Sequence, residues 1–294
     1  MDIASRVLGC YTSEKGNHFV FEANFIRVIP FLSTTGMHRV SIHDGYDIVL
    51  FEAPLAASEI ASLTRLLGHK GEPWLEDIRC RYAGHAADFC VVAIHRDEPV
   101  SHVWIGADAG YPAIALLGHV FTLPEHRRRG LARVLLRTAL AHSDARASRL
   151  LALGVDNLAA ALLYLGAGFR DLGPPDSHGH QVMVRGAAAD DLLAGRWPVA
   201  GGVVRRSPLG PAWYASGVLL MNAFPGTNKL PSLGIVNGHE AELQLLECTH
   251  RAAVQGESVQ VLVEDATGCL MGVEHVTGRG VFRYAVPGCA LQGI

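Results

Sequence analysis

The stretch from His119 to Leu140, HVFTLPEHRRRGLARVLLRTAL, constrains the fold more than any other. It begins inside an apolar run, Ala115 to Leu123, that reads as a buried strand. Pro124 ends the run, because proline has no N–H to give a strand ladder. Three arginines and Gly130 follow. Then Leu131, Val134, Leu135, Thr138 and Ala139 recur at three- and four-residue spacing, the period of a helix with one apolar face. A strand that feeds a helix through a basic, glycine-bearing turn builds an anion site. The first N–H groups of the helix lack partners within it, the helix dipole is positive there, and Gly130 lets a ligand approach the backbone. Arg127, Arg128 and Arg129 add charge that attracts an anion. Taken alone, a basic helix start is also what a solvated surface looks like.

The spacing narrows the choice. Arg127-x-x-Gly130-x-Ala132 lacks the lysine and hydroxyl of the nucleotide loop GxxxxGK[ST], and it is not the dinucleotide turn GxGxxG. It resembles the pyrophosphate loop of the GNAT superfamily of acyl-CoA-dependent N-acyltransferases, whose pattern is Gln/Arg-x-x-Gly-x-Gly/Ala. A second segment carries the same resemblance. Arg149 to Val155 reads as a short buried strand, and Asp156 and Asn157 are residues that cap helices. Ala160, Leu163 and Tyr164 then share a helical face that ends at Gly166-Ala-Gly-Phe169. The string Asn157-x-x-Ala160-x-x-Leu163-Tyr164-x-x-x-Gly168-Phe169 is similar to the fifth-strand and fourth-helix signature of that superfamily. Two motifs in this order are more specific than either alone.

Composition excludes several other classes. With 294 residues, the chain is long enough for two compact units, or for one with a large appendage. A formal charge of −3 is no general footprint for nucleic acid, and no apolar stretch approaches the roughly 18–20 residues that span a bilayer. The start, Met1-Asp-Ile-Ala-Ser-Arg6, does not read as a signal peptide. The six cysteines are scattered without CxxC spacing, as expected of reduced thiols in a cytoplasm. Fifteen histidines come with no HExxH arrangement, and no metal is expected.

The order of elements supports an α/β (α+β) fold. Phe19 to Ile29 reads as a strand ended by Pro30, within an N-terminal extension, 1–44, whose role is left open between an edge strand and a dimerisation arm. From Tyr46 onward the pattern is strand, two helices (56–68 and 72–82), three strands (89–95, 100–106 and 115–123), helix, strand, helix, strand, with Gln181 to Arg185 as a last strand. That order resembles the GNAT topology over residues 45–186: a mixed sheet with helices on its faces. Residues 187–200 read as a helical linker. Residues 201–294 read as an accessory α+β domain with helices over 210–224 and 239–253, a hairpin over 258–265 and 269–276, and a strand over 281–286. Helices, hairpin and strand repeat the first half of the GNAT order, so a truncated GNAT-like half stands beside a generic α+β domain. No second Arg-x-x-Gly-x-Gly/Ala follows Val286.

The resemblance implies transfer of an acyl group, in the first instance acetyl, from acetyl-CoA or another acyl-CoA to an amine. It implies a pantetheine arm paired with the backbone of Val120, Phe121 and Thr122, and phosphates on Arg127, Arg128, Arg129, Gly130, Leu131 and Ala132. Asn157 and Ala160 would flank the pantetheine, and Tyr164 would be the general acid for the leaving thiolate. The positions that carry a base in several members are Leu116 and Gly118, and neither accepts a proton. His119 is the nearest alternative, although strand alternation turns it off that face unless a bulge intervenes. His178 and His180 lie in a loop where acceptor-side residues occur, and Glu72, Glu76 and Asp77 are carboxylates suited to a cationic acceptor. The acceptor is expected to be a small-molecule or peptidic amine, and the protein a cytoplasmic monomer or homodimer. A catalytically silent CoA-binding module, or an acyltransferase or decarboxylase using another acyl-CoA, remains the alternative.

Overall fold

The computed structural model describes residues 37–72, 74–84, 87–107, 114–146, 149–175, 179–194, 202–208, 220, 230–235, 241–264 and 269–286. The strand expected over 19–29, nearly all of the helix expected over 210–224, and His178 lie outside them. Eight strands form one sheet: β1 (Met37–His43), β2 (Tyr46–Glu52), β3 (Phe89–His95), β4 (Glu98–Ala107), β5 (Ile114–Thr122), β6 (Leu150–Val155), β7 (Arg170–Asp171) and β8 (Gln181–Arg185). Their order is β1-β2-β3-β4-β5-β6-β8-β7. Only β5 and β6 run parallel; every other neighbouring pair is antiparallel. The connecting helices are α1 (Ala57–Leu66), α2 (Trp74–Gly84), α3 (Leu131–Ala145), α4 (Leu158–Leu165) and α5 (Ala189–Leu193). This is the mixed sheet with flanking helices expected from the sequence.

Both faces of the sheet are buried, so its central strands read as continuous apolar runs rather than alternating ones. Phe51, Leu63, Ile78, Tyr82 and Trp104 belong to the core under α1 and α2. Leu50, Val91, Val103, Leu135 and Leu151 belong to the core under α3 and α4. Neighbours such as Val103 and Trp104 fall in opposite cores because side chains alternate along a strand.

One irregularity shapes the site. Trp104 faces Gly118 and His102 faces Phe121, so β5 carries one residue more than β4 over this interval. The surplus is a bulge with His119 at φ 51°, left-handed backbone that is uncommon outside glycine. Pairing of β5 with β6 covers only Ile114–Leu116 against Leu150–Ala152. Beyond it, β6 continues to Val155 against β8, while β5 keeps only β4. The sheet therefore opens between Gly118–Thr122 and the end of β6.

A second, four-stranded sheet contains β9 (Val203–Arg206), β10 (Ser258–Glu264), β11 (Leu270–Thr277) and β12 (Gly280–Ala285), ordered β12-β11-β10-β9 and antiparallel throughout. With α6 (Ala241–Val254) between β9 and β10, strand order and polarity repeat those of β2 to β5. The carboxylate of Glu274 on β11 accepts from Arg205 on β9 (2.9 Å) and Arg283 on β12 (2.6 Å), tying strands on both sides of β11. Among the described residues no helix is long and apolar enough to cross a membrane.

Candidate active site

The basic turn has the form its sequence suggested. Pro124–His126 makes one tight turn, Arg128 adopts φ 61°, and Gly130 stands at the N-cap of α3 with φ 76°. No side chain caps this helix end. Its first N–H groups, those of Leu131 and Ala132 among them, are thus presented to whatever approaches. The turn is braced from β1 and β2. His43 Nε2–H donates to the Arg129 carbonyl (3.3 Å), and Tyr46 Oη lies 2.9 Å from His126 Nδ1. Arg127 turns back, its Nε–H donating to the Thr122 carbonyl (3.0 Å), with the guanidinium 5.9 Å from the Phe121 ring. Arg128 and Arg129 are exposed.

At the gap between β5 and β6, Val120, Phe121 and Thr122 are half-buried. Ser101 Oγ–H donates to the Phe121 carbonyl (3.0 Å), and His69 stacks on the Phe121 ring at 3.9 Å. On the far side, Asn157 caps α4: its Oδ1 accepts from the N–H groups of Ala159 (2.9 Å) and Ala160 (3.3 Å). Tyr164 is buried on the α3/α4 side, tilted edge-on to Phe169 at 5.8 Å, and burial pushes its hydroxyl well above the usual tyrosine range.

A cavity of about 240 Å³ opens on the other side, at the root of the gap. The bulge turns His119 into its wall, next to Leu116 and Gly118. Gly118 is, with Leu116, one of the two positions at which the sequence resemblance implied a base. Here the Trp104 indole takes that space: a Cβ on Gly118 would lie 3.3 Å from it. The rings of Trp74 and Trp104 stand 5.5 Å and 5.1 Å from the His119 ring. His180 also lines the cavity.

A buried relay holds the bulge. His102 Nδ1–H donates to the His119 carbonyl (2.8 Å), which leaves Nε2 to accept from the Tyr82 hydroxyl (2.6 Å). His102 is fully buried and neutral, its pKa pushed down by burial to about 4. Burial, with the charge of Lys70, holds His119 well below 6.5 as well. Both groups should make the fold acid-sensitive. In the unfolded chain each takes up its proton near 6.5, while in the fold it does so only lower. The unfolded state therefore binds more protons in that window, so stability is full above pH 6.5 and falls as pH drops toward 4. Each histidine contributes at most about 1.4 kcal/mol per pH unit there. Thermal melts should show Tm falling from pH 7 to 4.5, with His102→Asn flattening the slope. A Tm that is flat over this window excludes the buried neutral pair.

The expected acidic set behaves differently from expectation. Glu72 and Glu76 are spent on the exposed Arg79 (2.7 and 3.0 Å). Only Asp77 lines the cavity, and it accepts from Arg81 Nε–H at 2.6 Å. Arg81, Lys70 and the two tryptophans were not anticipated as site residues. A signal existed: Arg81 interrupts the apolar stripe of α2 between Ile78 and Tyr82, where a charge is costly unless it has a task.

Elsewhere, Ser232, His275 and Glu257 form a chain (2.9 and 3.0 Å) in the order nucleophile, base, carboxylate. The neighbouring donors are already used. The N–H groups of Ser232, Leu233, Gly234 and Ile235 donate to the Tyr284 hydroxyl, Leu230, Pro231 and Leu230 respectively. None of these four is left to stabilise an oxyanion, so the chain reads as a structural tie.

With this geometry in view, residues 58–169 match the model of the acetyltransferase (GNAT) family. The match spans less than half of the 294 residues. The resemblance seen in the Arg127–Ala132 and Asn157–Phe169 segments is to the same family. Similar solved structures include an acyl-CoA N-acyltransferase from Pseudomonas aeruginosa, at 16% identity over 48% of this chain and 99% of that one, with a TM-score of 0.40. A GNAT-family acetyltransferase from Staphylococcus aureus is 17% identical over 48% and 99%, with a TM-score of 0.38. Another from Streptococcus pneumoniae is 20% identical over 47% and 98%, with a TM-score of 0.37. A comparison with curated proteins finds none that matches.

Proposed function

We propose that this chain transfers an acyl group, most simply acetyl, from acyl-CoA to an amine by direct attack. The observation that carries this is the alignment of three features along β5. These are an uncapped basic helix end at Gly130, an opened strand edge at Val120–Thr122, and a cavity at the root of the gap. Pyrophosphate would lie on the N–H groups that open α3, with Arg127, Arg128 and Arg129 around it. Pantetheine would run along the opened edge, with the Asn157 side-chain amide and Ala160 across from it. The thioester carbonyl then sits where the gap joins the two faces of the sheet.

In the reaction the neutral amine attacks the thioester carbon; the C–N bond forms and the C–S bond breaks. The ammonium proton leaves first, toward His119 or water. The thiolate takes its proton from Tyr164, which reaches the sulfur from the α4 side of the gap; the second amine proton, lost as the amide forms, passes to solvent, and solvent returns a proton to the Tyr164 oxygen. Burial keeps the hydroxyl protonated at every working pH, and the same upward shift makes it a weaker acid. His119 suits the base role in being neutral at pH 7, although its depressed proton affinity makes it a weak one. The test is thiol release from acetyl-CoA with a panel of amines. CoA binding without release for any amine or acyl chain would favour a silent binding module.

One CoA per chain is expected. The second sheet repeats the strand order of β2 to β5, yet residues 201–294 contain no Arg-x-x-Gly-x-Gly/Ala loop. Calorimetric titration with CoA should give a stoichiometry near one, and a value of two would place a second nucleotide in the C-terminal unit.

A further inference from the structure

The cavity at the β5–β6 gap is chemically lopsided. Two sealed side-chain nitrogens in its walls have no hydrogen-bond partner among the described residues: Arg81 Nη1 and His119 Nδ1. A sealed polar atom without a partner costs roughly 1–3 kcal/mol, more for a charged group, so such atoms are retained where something else completes them. Arg81 is 4% exposed and rigidly placed. Its Nε–H is held by Asp77, and its plane lies 5.2 Å from the Trp104 ring. That leaves Nη1 of the guanidinium without a partner among the described residues. Lys70, also in the wall, sits with its ammonium 5.3 Å from the Trp74 ring. Asp88, a buried carboxylate that also interacts electrostatically with Arg81, is held by Trp104 Nε1 (3.1 Å) and the Ala107 N–H (3.2 Å). Its pKa is pushed up to about 7 by burial, so it offers Arg81 less than a full countercharge.

Resting on the acyltransfer reading above, we infer that this cavity binds a carboxylate through Arg81 and Lys70, and that the acceptor is a small amino acid bearing amine and carboxylate on one skeleton. A planar guanidinium edge matches a carboxylate in a way that a lone ammonium does not. At about 240 Å³ the cavity is smaller than a drug-sized pocket, which suits a molecule of few heavy atoms. A polycationic acceptor would meet Lys70 and Arg81 head-on. With the carboxylate on Arg81, the amine faces His119 Nδ1, and the second orphaned nitrogen gains its partner. The same chemistry has one other source, the far carboxylate of a dicarboxylic acyl chain carried by CoA.

The test uses the full chain saturated with CoA and follows the fluorescence of Trp74 and Trp104 in the cavity wall. The probes are the free proteinogenic amino acids, each compared with its own carboxamide. A charge-assisted hydrogen bond predicts about 10–100-fold tighter binding of at least one acid than of its amide. The preference should shrink in Arg81→Gln. It should also shrink in Lys70→Gln, which keeps the Asp77–Arg81 pair and so guards against a variant that fails to fold. In a parallel arm, thiol release from succinyl-CoA and acetyl-CoA is compared with an amine that lacks a carboxylate. A succinyl preference lost in both variants assigns the carboxylate to the acyl chain and overturns the amino-acid acceptor. Amides bound as well as acids, with no succinyl preference, overturn the carboxylate site altogether. Failure of CoA itself to bind would instead overturn the acyltransfer reading, and the calorimetric titration reports that separately.

Discussion

Replacing Tyr164 with phenylalanine is expected to lower kcat by about 10²–10⁴-fold, the usual worth of general acid catalysis, with little change in the KM for acyl-CoA. The variant keeps the ring and its edge-on contact with Phe169, so packing is preserved and only the proton donor is lost. Burial raises the hydroxyl far enough that its deprotonation falls beyond the assayable basic range. The wild-type pH–rate profile should therefore report amine and base on its acidic side and show no tyrosine limb on the other. Acyl donors with better leaving thiols should recover part of the lost rate, because they need less protonation. A near-native kcat would make Tyr164 a packing residue and leave the thiolate to solvent. Loss of acyl-CoA binding would make the hydroxyl a positioning group.

Much of this site was legible because its parts are local. A proline, three arginines, a glycine and a helical apolar period lie within one short stretch, and each acts through its own backbone. Asn157 was legible as a cap for the same reason, since its Oδ1 accepts from residues two and three positions on. The cavity was not legible, because α2, β4, β5, β6 and the loop before β8 build it jointly. The orientation of His119 depends on one surplus residue in β5 relative to β4, a mismatch between strands that no single strand records. The space taken by Trp104 depends on Gly118 lying directly opposite, again a matter of register. β1 and β9 escaped notice for another reason. Met37–His43 is half-exposed and polar, and Val203–Arg206 has four residues, so neither gives a clear alternation. Glu72 and Glu76 looked available until Arg79, seven and three residues on, claimed both.

Substitution of Gly130 by aspartate is expected to abolish CoA binding in a folded protein. Gly130 has φ 76°, which aspartate and asparagine tolerate better than other side chains do. The nearest atom to a Cβ there would be His43 Nε2 at 3.7 Å, so no internal clash need unfold the turn. What the carboxylate does is stand beside the helix N–H groups, where it competes for them and repels the phosphates. Asparagine at the same position has nearly the same shape without the charge, and so separates repulsion from obstruction. Losing the charge-assisted bonds of one phosphate predicts at least about a 100-fold weaker Kd for Gly130→Asp, and a smaller loss for Gly130→Asn. Both variants should melt within a few degrees of the parent in the absence of CoA, and the Tm gained on adding CoA should be largest in the parent, smaller in Gly130→Asn and least in Gly130→Asp. Equal, large losses in the two variants would mean that close approach of backbone to phosphate outweighs charge. Unchanged affinity in Gly130→Asp would place the phosphates somewhere other than the start of α3, and with them the whole path of the acyl donor along β5.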